Sequence, residues 1–214
     1  RHADNPGVAA VLLMLTSIPL GAKHHYPIFD AACEAGLPVV VHPTGAEGLY
    51  SGTAPLAGGV PRSYAEWHGL TPQVGQAQLT SLLFSGALEV FPGLRVILTE
   101  YGFSWVPSLL WRLDMEWRNF RGDVPWMKVS PTEYVHRHVR FTTQPMEDPE
   151  DPRQLAAMLG LMDAGSLLVF SSDYPHYDED NPEVLAARLP AEIRDRVLRQ
   201  NALDIMRLPV AADG

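Results

Sequence analysis

A single cysteine, Cys33, stands in 214 residues. One thiol excludes an intramolecular disulfide and a thiolate-built zinc site, and it fits a reducing compartment such as the cytoplasm. Its place in "FDAACEAG" (29–36) predicts a packing role. Basic residues number 16 against 25 acidic ones, for a net charge of −9. None of them cluster into a stripe, so the footprint that nucleic acid requires is missing. No Gly-rich phosphate loop follows any apolar run, which removes the main support for a nucleotide-binding open sheet. No apolar run is long enough to span a bilayer, and no membrane partner is expected. The stretch "VAAVLLMLTSIPLGA" (8–22) has the look of a signal-peptide core, but the preceding "RHADNPG" carries Asp4, a Pro-Gly turn and one arginine. A buried strand fits it better. There is no repeat, low-complexity tract or dividing linker, so residues 1–214 are expected to form one domain around one core.

What is present is a recurring alternation. Apolar runs at 8–15, 37–42, 94–100, 139–143 and 166–173 are separated by helical stretches at 26–36, 75–91, 107–120 and 152–162, and a closing helix is expected at 190–208. In that last stretch Ile193, Val197, Ile205 and Leu208 recur on one face. The strand runs are continuously apolar, as expected when both faces of a parallel sheet are covered. Strand and helix in repeated alternation predict an α/β fold, either a (β/α) barrel or an open sheet.

The polar residues fall at strand ends. "VVVH" ends in His42, "VILTE" in Glu100 and "VFSSD" in Asp173, while a fourth run ends in "FTTQ". In barrels and open parallel sheets the carboxyl ends of strands line the site. One such residue is ordinarily a turn or a cap; three that are all histidine or carboxylate point to a metal or acid/base centre. A divalent cation accepts imidazole nitrogen and carboxylate oxygen, and a carboxylate beside metal-bound water can take its proton. In "FSSDYPHYDED" (170–180), His176 is placed to orient Asp173 or to donate to the site.

"VVVHPTG", "FPGLRVILTEYGFSWVPSLLWRLD", "FSSDYPH" and the final "RQNALDIMRL" together resemble the amidohydrolase-related proteins, in the branch that includes the aminocarboxymuconate-semialdehyde and resorcylate decarboxylases. The resemblance implies a metal-dependent TIM barrel with the metal at its C-terminal mouth. It matches His42 to the family's metal-binding histidine on strand five and Asp173 to its aspartate after strand eight. Two departures stand out. The family usually has histidine where this chain has Glu100, and its His-x-His pair of strand one has no counterpart here. The adjacent His24 and His25 follow what would be strand four. The expectation is therefore the strand-four-to-eight part of a barrel, incomplete at the N-terminus, either cut from a longer chain or completed by a second chain or another copy.

The resemblance implies a hydrolase or carboxy-lyase acting on a small organic substrate. His42, Asp173 and Glu100 are the expected metal ligands, and Asp173, Glu100 and His176 the catalytic groups. Zinc is the first choice of metal, with manganese or iron as alternatives. Two other readings stand beside it: a non-catalytic, partner-completed barrel subunit, and a two-metal oxygenase on the same fold. His24, His25, Tyr64 and His68 are weaker candidates for substrate contact. Residues 43–72, rich in glycine and proline, are expected to form a mobile loop over the mouth. Trp105, Trp111, Arg112 and Asp114 are expected to brace a helix, and the acidic runs "EDPED" and "DEDNPE" to be solvated loops.

Overall fold

The computed structural model describes residues 2, 5, 7–43, 59–147 and 149–208. Five strands, β1 (Val11–Met14), β2 (Val39–His42), β3 (Val96–Leu98), β4 (Val139–Thr142) and β5 (Leu168–Val169), form one parallel sheet in the order β1-β2-β3-β4-β5. Every spatial neighbour is a sequence neighbour, and the order never reverses. An open doubly wound sheet has a switch point where the order turns back. Unbroken order with right-handed crossovers instead puts the connecting helices on one side, as in a barrel wall.

The two faces confirm that arrangement. Val39, Val41, Val96, Leu98, Val139, Phe141 and Leu168 point to one side and join the main core. With them pack residues of α1 (Tyr26–Ala35), α2 (Tyr64–Phe84), α4 (Val106–Asn119), α5 (Pro131–His138) and α6 (Pro152–Leu161), and short α3 (Ala87–Val90) and α7 (Ala164–Leu167) add to them. The opposite face carries Val40, Ile97 and Val169, which meet Ile205 of the last helix, α10 (Asn201–Met206). Beyond β5 the chain runs through α8 (Pro182–Arg188), α9 (Ala191–Asp195) and a π-helical turn, Arg196–Gln200, into α10. The asparagine of "RQNALDIMRL" finds its reason here. Asn201 is buried, and its Nδ2 donates to the carbonyls of Leu168 (2.7 Å) and Gly165 (2.9 Å).

Strand β1 is an edge. Its Leu12 and Met14, on the face shared with Val40 and His42, are 62% and 44% exposed. Of the stretch 8–22, residues 11–14 are thus paired in the sheet, as a half-exposed edge and not the buried strand expected. No helix among the described residues is long and apolar enough to cross a membrane.

Three helix starts went unrecognised in the sequence. Ser63 accepts from Glu66 N (3.1 Å), and α2 begins at Tyr64 inside the stretch expected to be loop. Ser130 accepts from Glu133 N ahead of α5. Asn181 accepts from Glu183 N and Val184 N, so the end of "DEDNPE" opens α8 and is no plain solvated loop. Each is an N-cap with an acid two or three residues on. The expected closing helix at 190–208 is divided by its π turn, with Val197 and Ile205 buried and Leu208 exposed.

Candidate functional site

A cavity of about 220 Å³ opens at the carboxyl ends of the strands. Its walls include His42 at the end of β2, Glu100 after β3, and Asp173, His176 and Asp178 from the segment after β5. Tyr64, Trp67, His68 and Thr71 of α2 form the facing wall. No lysine or arginine is among these described lining residues.

The parallel register explains how His42 arrives there. Met14 and His42 are partners at the ends of β1 and β2, with side chains on the inner face. Pro43 O accepts from His42 Nδ1 (2.5 Å), which turns Nε2 toward Glu100 Oε1 at 2.6 Å. A backbone carbonyl on one imidazole nitrogen is a common way to orient the other as a ligand. The bond to Glu100 raises the His42 pKa, outweighing the opposite effect of burial. The partner of Glu100 is His42, and Arg112, expected to brace a helix, is an exposed side chain that pairs with Glu116 at 3.6 Å.

Both carboxylates stand on unusual backbone. Glu100 has φ 65° and Asp173 φ 58°, left-handed conformations that cost side-chain-bearing residues about 1 kcal/mol or more. The surroundings hold them. Thr142 Oγ1 accepts from Glu100 N (3.1 Å). Glu147, in the loop after β4, accepts from Phe103 N (2.9 Å) and Ser104 N (2.5 Å). Gly102, at φ 65°, has the Glu147 carboxylate where a Cβ would lie. Asp173 Oδ2 meets His176 Nδ1 at 2.8 Å. Burial raises the Asp173 pKa, and the Glu100 charge adds to it, so this carboxyl keeps a proton to higher pH than usual.

His42, Glu100 and Asp173 bring one imidazole and two carboxylates to one cavity, a donor set that fits a divalent cation of the manganese or zinc kind. Tighter still is the group Asp173, His176 and Asp178, whose ligand atoms lie within 4.8 Å of one another. Asp178 escaped the sequence reading because it sits in an acidic run that reads as solvated. Its position two residues past His176 was the available signal.

Tyr64 stacks on His68 (centroids 5.7 Å) and meets Tyr177 edge-on at 6.4 Å. His68 Nε2 lies 3.5 Å from Asp178 Oδ2. The expected loop 43–72 is thus helical from Tyr64 onward; residues 44–58 lie outside the described residues.

His24 and His25 do not line the cavity. Hydrogen bonds from Leu20 N to Gln78 Oε1 (2.6 Å) and from Gly21 N to Ser81 Oγ (3.1 Å) clamp their loop to α2. That turns His25 inward, 6.1 Å from the Phe29 ring, and burial lowers its pKa. Trp105 is buried and donates Nε1 to Tyr101 O (2.8 Å), and Asp114 accepts from Thr132, as bracing groups do. Trp111 is exposed. Cys33 is partly buried against the core, and burial raises its pKa.

The family model for amidohydrolases matches residues 1–208. No curated protein matches. Among solved structures, 5-carboxyvanillate decarboxylase from Sphingomonas paucimobilis is similar with a TM-score of 0.69 and 21% identity, over 97% of this chain and 61% of that one. An amidohydrolase from Mycobacterium avium subsp. paratuberculosis is similar at TM-score 0.71 and 23% identity, over 96% of this chain and 53% of that one. A dihydroxybenzoic acid decarboxylase from Polaromonas, solved with manganese and the inhibitor 2-nitroresorcinol, gives 0.64 and 18%, over 97% and 63%. The chain therefore spans roughly three fifths of the length of these structures.

Proposed function

We propose a function from one premise: this chain belongs to the amidohydrolase family. The reading is a metal-dependent carboxy-lyase for a small aromatic acid. It is carried by the meeting of His42, Glu100, Asp173 and His176 in one cavity at the strand ends, and the decarboxylases among the similar structures support it. His42 Nε2, Glu100 and Asp173 would hold a divalent cation, manganese or zinc, which would supply a Lewis acid for a substrate carboxylate and a neighbouring oxygen. The His-x-His pair that the resemblance implies for strand one has no counterpart among these residues.

Asp173 stands at the cavity with His176 on its Oδ2, and it would relay a proton taken from water to the ring carbon bearing the carboxylate. The bond from that carbon to the carboxylate breaks, carbon dioxide leaves, and the electron pair returns to the ring. His176 holds Asp173 Oδ2 in place through Nδ1. Tyr64, Trp67 and His68 offer a flat wall for an aromatic ring.

One observation favours a second reading, hydrolysis. Glu100 replaces the usual histidine and is already bonded to His42, so it is placed to take a proton from water. The test is a panel of ortho-hydroxybenzoates and simple amides incubated with the manganese-loaded chain. Carbon dioxide release that disappears in Asp173→Asn, with the circular dichroism spectrum kept, supports the lyase. Amine release alone supports the hydrolase, and unchanged turnover in Asp173→Asn rejects the site.

A further inference from the structure

One of the four strand-end motifs supplies nothing to the cavity wall. "FTTQ" leaves β4 at 141–144, and none of the cavity's described lining residues comes from it. Its polar side chains are buried all the same: Thr142 is 6% exposed, Thr143 0% and Gln144 1%. The segment bonds instead to the two turns beside it, one after β3 and one after β5.

Toward β3, Thr142 Oγ1 accepts from Glu100 N (3.1 Å), and Glu147 accepts from Phe103 N and Ser104 N just beyond. Toward β5, Thr143 Oγ1 accepts from Ser171 N (3.1 Å) and donates to Ser171 O (3.3 Å). Ser171 Oγ accepts from Gln144 N (3.2 Å), and Asp180 Oδ2 accepts from Met146 N (3.0 Å). The two sets join at Gln144, because Thr142 Oγ1 also donates to its carbonyl (3.2 Å). A hydroxyl can accept and donate at once. A chain of bonds therefore runs from the backbone of Glu100 through Thr142 and Gln144 to Ser171, two residues before Asp173.

Both ends need holding. Glu100 and Asp173 stand at φ 65° and 58°, conformations that persist only where neighbours over-determine them. Their carboxylates also face one cavity with no lysine or arginine among its described lining residues, so like charge favours separation of the two turns.

We infer that residues 142–147 are a positioning unit that holds the Glu100 and Asp173 turns as one rigid pair, so that β4, without lining the cavity, fixes the separation of the two carboxylates. The inference rests on the proposed function only in taking both carboxylates as ligands of one cation. Outer partners of this kind govern metal affinity by fixing the ligands before the ion arrives.

The test compares amide hydrogen exchange in the unaltered chain, Thr142→Val, Thr142→Ser and Ser171→Ala. Titration with Mn²⁺ alone follows, with the free ion read by electron paramagnetic resonance. Ser171→Ala acts on the β5 side, yet it should speed exchange at Glu100 N about fivefold or more. Thr142→Val should do the same at Ser171 N and Asp180 N. The amide of Leu37, which precedes β2 and bonds to Ala32 O, should keep its rate, whereas a general loss of stability would speed it too. Thr142→Val should bind Mn²⁺ about tenfold or more weakly, and Thr142→Ser, which keeps the hydroxyl, within about threefold of the unaltered chain. If each variant speeds only the amides of its own turn, or if Leu37 speeds up in step, the inference falls. It falls as well if Thr142→Val binds Mn²⁺ as tightly as the unaltered chain. If exchange in the two turns is coupled and the unaltered chain binds no Mn²⁺, the positioning unit stands and the metal centre of the proposed function fails.

Discussion

Gly102→Ala is the substitution that most directly probes how Glu100 is presented. The residue has φ 65°, and an alanine held there costs about 1–2 kcal/mol. An added Cβ would also lie 2.8 Å from Glu147 Oε1 and 3.0 Å from its carboxyl carbon, closer than such atoms approach. The carboxylate has to withdraw, and it is the acceptor for Phe103 N and Ser104 N. Phe103 is buried, so an orphaned amide there costs about a further 1–3 kcal/mol. Ser104 is exposed, and water replaces its bond. The total is about 2–5 kcal/mol, read as a shift of the urea midpoint at constant slope. The reasoning has a sharper check in the double variant. In a Glu147→Ala background the steric conflict has gone, and Gly102→Ala should cost only its backbone share of about 1–2 kcal/mol. The pair should therefore be less damaging together than the sum of the two alone. Strict additivity, or a Gly102→Ala cost under about 0.5 kcal/mol, would refute the account of this turn.

Acid should destabilise the chain through its buried histidines. Burial lowers the pKa of His25 and His138, so each binds its proton more weakly when folded. Their contribution is complete above the ordinary histidine value of about 6.5 and is lost as pH falls through it toward the folded value. Urea midpoints at pH 7.5 and 5.5 should show the drop, and His138→Gln should shrink it. Metal affinity should fall with pH as well, because a cation must displace protons from His42, raised by Glu100, and from Asp173, raised by burial. A manganese dissociation constant equal at pH 6 and pH 8 would contradict this. In the core, Leu98→Ala removes a side chain that is buried on β3 and should cost about 2–5 kcal/mol in the same urea experiment.

The strands were legible because each is an unbroken apolar run, and such runs need both faces covered. "LPVVVH", "LRVILTE" and "VRFTT" contain β2, β3 and β4. Their ends were overextended. Glu100 lies two residues past Leu98 and Asp173 four past Val169, since a side chain reaches the cavity from the turn as well as from the strand. Helices were legible where one apolar face repeats, as in α1, α4 and α6. They were missed where caps carry the signal, at Ser63, Ser130 and Asn181, because the apolar period was weighed above the capping acid. The start of α2 was hidden further by Gly69 and by Pro72, which lies inside the helix. His42, Glu100 and Asp173 stood out as three similar residue types after three strands. Asp178 did not, because only the path of the chain between Gln144 and His68 separates it from an ordinary acidic surface.

The left-handed backbone at Glu100 and Asp173 also restricts how this site can change by mutation. At such positions asparagine, aspartate, histidine and glycine are tolerated far better than branched or bulky residues. Branched or bulky substitutions at 100 or 173 should therefore carry a stability cost of about 1 kcal/mol or more besides any change in chemistry. Apart from glycine, the residues tolerated best are polar groups able to bind a cation or carry a proton. Exchange between glutamate and histidine at position 100 stays close to that narrow set, so the backbone steers variation at this site toward alternative ligands and away from apolar replacements.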